Sequence, residues 1–249
     1  MEPSSETLRV LLANRRFLYA CCSRMFAAEP DRHLLDVLCD AQTAAQFGLL
    51  EGGGDKRSVD GGAAALAPGA ANGAAPAPAA GATALWQDLH GFLRSGTDVL
   101  PQLRNEYTRL FLGPAALPVP PWESAFMAKE PVLFTKVTLK VREAYARAGF
   151  RASGYRYEAD DHLATELDFM AQLAARTVAA NDSGDREGVS LLLGRQQDFL
   201  REHLLAWIRG YAQSLAEADR ISCVYPTLAA LAALVCERDA VLIEEMQAL

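Results

Sequence analysis

A histidine flanked by acidic residues opens one segment of this sequence, EADDHLATELDFMAQL, which runs from Glu158 to Leu173. His162 and Glu166 are four residues apart, so a helix would place them on one face, close to Asp161. Carboxylates beside an imidazole could perform general acid–base chemistry or bind a metal ion. A helical enzyme or metal-binding protein that uses Asp161, His162 and Glu166 is therefore one hypothesis for this sequence.

The rest of the sequence offers little support for either chemistry. A metal centre would need further ligands at fixed spacing, such as two Glu-x-x-His pairs in a helix bundle, and the sequence contains none. The other three histidines match no ligand spacing. No serine or cysteine nucleophile with a base and an oxyanion-binding device can be located. We therefore predict a protein that is not an enzyme, with no catalytic residue, no metal and no cofactor.

A second segment, YTRLFLGPAALPVPPWESAF from Tyr107 to Phe126, places prolines directly before a tryptophan. Prolines fix their own φ and bias the preceding residues towards extended backbone, so this strip is stiff. A stiff strip loses little entropy on binding, which makes Trp122 a good anchor for an apolar partner. Alternatively, Trp122 folds back onto the core. Ser124 can cap a short helix through Met127, and Glu123 can be solvated.

The segment around His162 has the features of a helix start. Asp160 or Asp161 is a plausible N-cap for the helix that follows. His162 would then lie in the first turn, where the helix dipole disfavours a charged imidazole and the neighbouring carboxylates favour it. The alternative role of Asp161 and His162 is a capping network that ties the helix start to a neighbouring loop.

Apolar residues recur at three- and four-residue steps through most of the sequence, which predicts amphipathic helices. The predicted helices lie at about 5–25, 30–47, 85–92, 98–111, 135–148, 161–180, 187–216 and 226–249. Gly113 and Pro114 should end the fourth helix, and Gly149 the fifth. The one candidate strand, 132–134, is too short to build a sheet. The sequence therefore predicts an all-α fold, a single globular domain of about 8–10 helices over residues 1–249.

Residues 51–83 differ in composition from the rest of the chain, since they are nearly all Gly, Ala and Pro. Val59 and Leu66 are almost their only large apolar side chains. Such a stretch cannot bury enough surface to offset its ordering entropy. We expect a flexible insertion there.

The formal charge of −7 argues against nucleic acid as a partner, because phosphate neutralisation needs clustered Lys and Arg. An acidic surface instead suits a basic partner. Five cysteines without a CxxC pair favour reduced thiols over a disulfide framework. No stretch predicts a membrane span or a secretory signal, and Arg15-Arg16 is interpreted as part of a helix surface. The protein is expected to be cytoplasmic, without stable insertion into a membrane.

The two segments together resemble the signature of the TorD/DmsD/NarJ family of chaperones for redox enzymes. The resemblance rests on a YxRLFxGP helix end, a short proline-rich spacer and PPWES followed by an aromatic residue. In the family, an E-x-P-D-H-L element opens a helix that continues as E-L-x-F-M. Here Glu158, Asp161, His162 and Glu166 match that element, and Asp160 stands where the family usually has proline.

The resemblance implies a cytoplasmic chaperone that binds the twin-arginine leader of a molybdopterin-type oxidoreductase precursor and delays its export until the cofactor is loaded. The partners would be that signal peptide and the body of the catalytic subunit. A leader-independent assembly adaptor is an alternative. The residues expected to line the leader groove are Tyr107, Leu110, Phe111, Gly113, Pro114, Pro121, Trp122, Glu123, Ser124, Glu158, Asp160, Asp161, His162 and Glu166. The apolar members would anchor the leader, and the acidic ones would face its arginines.

Overall fold

The fold is described from a computed structural model, which defines residues 5–49, 81–95, 98–113, 116–128, 135–152, 159–218 and 224–248. Within these ranges the chain is helical and has no strand, so the all-α prediction is confirmed. The helices are α1 Ser5–Ala27, α2 Arg32–Cys39, α3 Ala41–Gly48, α4 Ala82–Leu93, α5 Leu100–Tyr107, α6 Glu123–Ala128, α7 Lys136–Arg147, α8 Leu163–Asp182, α9 Arg186–Phe199, α10 Leu205–Ala218 and α11 Val224–Gln247. A π-helical turn, Thr108–Leu112, extends α5, and a second one, Leu200–Leu204, joins α9 to α10.

These ranges hold eleven α-helices, more than the predicted eight to ten, because two of the eight predicted ranges are each divided and the short helix α6 is additional. The predicted helix 30–47 is divided at Asp40, whose backbone is extended (φ −75°, ψ 134°). The Asp40 side chain accepts a hydrogen bond from the Gln42 amide, so it caps α3 and stops α2 from continuing. The predicted helix 187–216 is divided by the second π-helical turn.

Other sequence predictions can be compared with the described residues only in part. Helix α4 begins at Ala82, so residues 82 and 83 belong to it and not to the predicted insertion. The remainder of the insertion, 51–80, and the candidate strand 132–134 lie outside the described residues. Gly113 and Gly149 end their helices with φ of 71° and 65°, the left-handed conformation that favours glycine.

The core is built on α1 packed along α8 and on α10 packed along α11. Where α1, α5 and α11 meet, the rings of Phe26, Tyr107, Phe111 and Tyr225 form one aromatic cluster with centroid separations of 5.0–6.5 Å. All four side chains are buried. This cluster fixes the end of α5, and therefore the point at which the proline-rich strip begins.

A buried ion pair links the first and last helices of the described fold. Arg15 of α1 pairs with Asp239 of α11, and each side chain is only 3% exposed. The Tyr19 hydroxyl donates to Asp239, and Arg15 also donates to Gln196 of α9. The prediction that Arg15 lies on a helix surface is therefore wrong, although its neighbour Arg16 is exposed. Arginine can be buried here because a carboxylate and an amide oxygen satisfy most of its donors.

Asp239→Asn should lower the free energy of unfolding by about 3–5 kcal/mol, because it leaves the Arg15 charge buried without its counterion. The matched control is Asp182→Asn, which removes the carboxylate of the exposed Arg9–Asp182 pair, whose side chains are 62% and 46% exposed. That change should alter stability by less than about 1 kcal/mol. Urea denaturation of the three proteins measures both values, and equal losses would contradict this account of the ion pair.

Candidate functional site

The two signature segments meet in the folded chain at Trp122 and His162, which form an isolated antiparallel β-bridge. Two backbone hydrogen bonds flank it, from the Glu123 amide to the Asp161 carbonyl and from the Leu163 amide to the Pro121 carbonyl, both 2.9 Å long. The indole and imidazole rings pack edge to face, with centroids 5.4 Å apart. We call this contact the Trp122–His162 junction. The extended backbone that the prolines impose makes such a bridge possible.

Asp161 and His162 each cap a helix at the junction, but not as the sequence predicted. The Asp161 carboxylate accepts a 2.8 Å hydrogen bond from the Ser124 amide, so it caps α6 across the junction. His162 is the N-cap of α8, because its Nδ1 accepts from the Ala164 amide at 3.1 Å. The prediction that Asp160 or Asp161 caps α8 is therefore wrong. The alternative, a capping network that ties the helix start to a neighbouring loop, describes the geometry.

Asp160 is turned towards α7. Its carboxylate accepts from Arg142 Nε at 2.7 Å and pairs with Nη2 at 2.6 Å. The Tyr145 hydroxyl donates to the Asp160 carbonyl at 3.0 Å. Asp160 is 2% exposed and Asp161 is fully buried. These two carboxylates therefore do not face solvent, and the prediction that they face a cationic partner does not fit this geometry.

Glu123 is also buried, and the expectation that it is solvated or faces arginines fails for the same reason. Its Oε2 lies 3.0 Å from Nδ1 of His203, which is 2% exposed. His203 belongs to the second π-helical turn, eighty residues further along the chain. Sequence reasoning missed His203, because a lone histidine on an apolar stripe carries no spacing signal.

Glu166 lies beneath the junction and is fully buried. Its Oε2 accepts a 3.2 Å hydrogen bond from the Trp207 indole N–H. Burial raises the pKa of Glu166 well above its ordinary value, and the nearby Glu123 and Asp161 carboxylates raise it further. This shift favours the protonated form of Glu166 in a crowded acidic site.

His162 is uncharged at neutral pH for the same physical cause, burial. Burial lowers the pKa of His162 to about 4, although the adjacent Asp161 carboxylate opposes the shift. A neutral ring can keep an unprotonated Nδ1, which the hydrogen bond from the Ala164 amide requires.

The predicted apolar contact residues separate into a buried set and a partly accessible one. Tyr107, Leu110, Phe111 and Pro121 are buried in the core and do not line an open groove. Trp122 is half-buried, and the exposed apolar residues on the neighbouring elements are Leu112 (63% exposed) and Met127 (50%). Gly113 ends the first π-helical turn, whereas Pro114 and Glu158 lie outside the described residues.

The short helix α6 is fixed to α10 by Phe126. Its ring packs against Trp207 and Tyr211, with centroids 6.0 and 6.3 Å away. Gly210 makes this approach possible, because a Cβ at that position would lie 3.2 Å from the Phe126 ring. The segment that carries Trp122 is therefore held by α8 on one side and by α10 on the other.

Four buried side-chain atoms at the junction have no hydrogen-bond partner. They are Trp122 Nε1, Ser124 Oγ, Asp161 Oδ1 and Glu166 Oε1, of nine such atoms in the described residues. An unpartnered buried polar atom costs about 1–3 kcal/mol, and natural proteins tolerate few of them. Their concentration in the two signature segments marks the junction as the candidate functional site.

The described part of the chain contains no group of three or more His, Cys, Asp or Glu side chains that could hold a metal ion. None of its helices is both long and apolar enough to traverse a bilayer. Asp161, His162 and Glu166, the residues of the metal or enzyme alternative, are occupied by two helix caps and by the hydrogen bond to Trp207.

Comparison with known proteins decides the family. The sequence profile described as "Nitrate reductase delta subunit" matches residues 75–213, a range that contains both signature segments. The chain belongs to the nitrate reductase delta subunit family. The resemblance to the TorD/DmsD/NarJ chaperones of redox enzyme maturation is thereby confirmed.

The relatives of this chain described below carry curated names as chaperones. "Chaperone protein TorD" of Vibrio cholerae is 29% identical over 154 residues, which cover 62% of this chain and 68% of TorD. "Tat proofreading chaperone DmsD" of Salmonella paratyphi A is 37% identical over 83 residues, 33% of this chain and 39% of DmsD. A crystal structure from Archaeoglobus fulgidus is provisionally described as a redox enzyme maturation protein. Its alignment covers 92% of this chain and 93% of the Archaeoglobus chain, at 16% identity and a TM-score of 0.43.

The family match begins before α4 and ends within α10, so α1–α3 and α11 lie outside it. These outer helices still support the matched region. The Ser23 hydroxyl of α1 donates to the Ala164 carbonyl in the first turn of α8 at 2.9 Å. The amide of Tyr225, at the start of α11, donates to the Glu106 carboxylate of α5 at 3.2 Å.

The His162 ring should make the Trp122–His162 junction sensitive to acid. Its folded-state pKa of about 4 lies below the ordinary value of 6.5, so the unfolded chain gains a proton first as the pH falls. Its contribution to stability is complete above pH 6.5 and is lost between pH 6.5 and about 4. This loss should reach at most about 3 kcal/mol.

His162→Asn keeps a good N-cap but removes the titrating group. Urea denaturation of both proteins at about pH 7.5, 5.5 and 4.5 measures their unfolding free energies. The difference between wild type and variant should shrink or reverse as the pH falls. Glu166 titrates in the opposite direction but is present in both proteins, so its contribution cancels. A difference that does not change with pH would contradict the assignment of a neutral, partly buried His162.

Proposed function

We propose that this protein is a cytoplasmic chaperone that binds the twin-arginine leader of a molybdopterin-type oxidoreductase precursor and delays its export until the cofactor is loaded. Its partners would be that leader and the body of the catalytic subunit. Membership of a family whose named relatives are redox-enzyme and Tat proofreading chaperones supports the maturation role. The single observation that carries the leader-binding part is the Trp122–His162 junction, where both signature segments come together.

The properties of Trp122 suit the apolar stretch of such a leader. The indole is half-buried on a stiff strip, so an apolar segment packing against its open face would lose little side-chain entropy. The indole Nε1 atom itself is buried and has no acceptor among the described residues, so the accessible part of the side chain is apolar. Met127 adds exposed apolar surface on α6, the helix that directly follows Trp122.

The acidic character of the chain would act on the leader's arginines mainly at long range. Glu123, Asp160 and Asp161 are buried and already have hydrogen-bond partners within the protein. The formal charge of −7 nevertheless attracts a cationic peptide and raises the encounter rate, with a strength that falls as salt is added. Apolar contact with Trp122 would then set the residence time of the complex.

Trp122→Ala should weaken leader binding by about 1–3 kcal/mol, roughly 5- to 150-fold, which is the range expected for an interface anchor. Isothermal calorimetry with a synthetic twin-arginine leader peptide measures the affinity. The matched control is Leu191→Ala on α9, which removes an apolar side chain that is 57% exposed and away from both signature segments, and it should leave the affinity unchanged.

Two outcomes would count against the proposal. If wild type binds a leaderless enzyme body but no leader peptide, the protein is a leader-independent adaptor. If Trp122→Ala binds the leader as tightly as wild type while its thermal unfolding is unaltered, the junction is not the binding site.

A further inference from the structure

His203 connects the C-terminal half of the fold to the segment that carries Trp122. Its Nδ1 lies 3.0 Å from Glu123 Oε2, and the two side chains are 3% and 5% exposed. The contact is a hydrogen bond between an imidazole nitrogen and a carboxyl oxygen, and the tautomer of His203 sets which of them donates. The Glu123 side chain also interacts with the buried Glu166 beneath the junction.

The second π-helical turn determines where the His203 ring lies. A π-helical turn inserts an extra residue into the helix, which shifts the direction of the side chains within it and often marks a functional position. The ring of His203 lies against Phe199, with centroids 4.8 Å apart. Phe199 in turn packs against Phe169 and Tyr145, at 4.7 and 5.8 Å. The imidazole is therefore held by a rigid aromatic wall.

Glu123 is held at both its backbone and its side chain. Its amide donates to the Asp161 carbonyl at the junction, and its carboxyl group is hydrogen-bonded to His203 on the opposite side. Since Trp122 directly precedes Glu123, these two contacts fix the backbone next to the indole side chain. Losing the His203 contact would free the carboxylate side of this clamp.

We propose that His203 is a positioning residue of the leader site, which acts through Glu123 to fix the orientation of Trp122. This inference rests on the proposed function, because it assigns a role within the same site. His203 lies beneath the site and is not itself a leader-contacting residue.

The surroundings of His203 allow this role to be tested without collapse of the fold. The ring lines a polar pocket of about 470 Å³ together with Lys140, Glu143, Arg147 and Glu202. Water in such a pocket could hydrate the Glu123 carboxylate once the imidazole is removed. Variants at residue 203 should therefore remain folded and lose the geometry of the site.

The first experiment is a double-mutant cycle with the synthetic leader peptide, measured by calorimetry. His203→Leu and Glu123→Ala should each weaken leader binding at least fivefold. The double variant should bind no more weakly than the weaker single variant, because both changes break one contact. His203→Asn, which retains a donor close to the Nδ1 position, should recover most of the affinity.

The matched control for this cycle is Thr177→Val. It removes two buried hydrogen bonds of the Thr177 hydroxyl, one accepted from Gln196 Nε2 at 2.9 Å and one donated to the Leu173 carbonyl at 2.8 Å, and neither involves Glu123. This variant should lose stability but keep leader affinity within about twofold of wild type. Unchanged affinity in folded His203→Leu, or losses that multiply in the double variant, would overturn the proposal.

A second measurement does not depend on the leader. Hydrogen exchange of the Ser124 and Phe126 amides, which donate to Asp161 Oδ2 and to the Trp122 carbonyl, reports whether the segment is fixed. Both amides should exchange at least tenfold faster in His203→Leu and at the wild-type rate in Thr177→Val. If wild type binds no leader, the proposed function fails, and exchange still decides whether His203 fixes the segment. Unchanged exchange in His203→Leu would refute the positioning role.

Discussion

The structure depends most on the burial of four acidic side chains around the Trp122–His162 junction. They are Glu123, Asp160, Asp161 and Glu166, each less than 5% exposed. A buried carboxylate must find hydrogen-bond donors or give up its charge, and the chain uses both solutions. Asp160 accepts from Arg142 of α7, and Glu123 shares a hydrogen bond with His203 of the second π-helical turn. Asp161 accepts from a backbone amide of α6, and burial favours the protonated form of Glu166. Each solution recruits a different element, so the demand for partners assembles the elements around the junction.

Much of this arrangement could be predicted from local sequence, because local rules govern it. Gly113 and Gly149 end helices where glycine can adopt positive φ, and the prolines before Trp122 exclude helix and allow the β-bridge. Asp40 breaks a predicted helix for an equally local reason, since its side chain caps the next one, but an aspartate inside an apolar period gives no signal of that competition. Helix existence was therefore predictable, and the exact helix boundaries were less so.

The contacts that the sequence could not reveal join residues far apart in the chain. Arg15 and Asp239 are separated by 224 residues, and Glu123 and His203 by 80. A lone arginine or histidine on an amphipathic helix is usually exposed, so only its distant partner explains its burial. The same limit affected the site acids. Acidic residues near a stiff aromatic strip suggest a surface for a cationic peptide, whereas in three dimensions their charges are used within the fold.

Asp160 shows how the chain compensates for a departure from its family's pattern. Proline at this position would fix φ just before the helix start and so limit the conformations of the loop. Aspartate cannot do so, but its carboxylate pairs with Arg142 and its carbonyl accepts from Tyr145, both on α7. A tertiary tether thus replaces a local backbone restraint at the same position. This tether fixes Asp160 directly before Asp161 and His162, the two residues that cap helices at the Trp122–His162 junction.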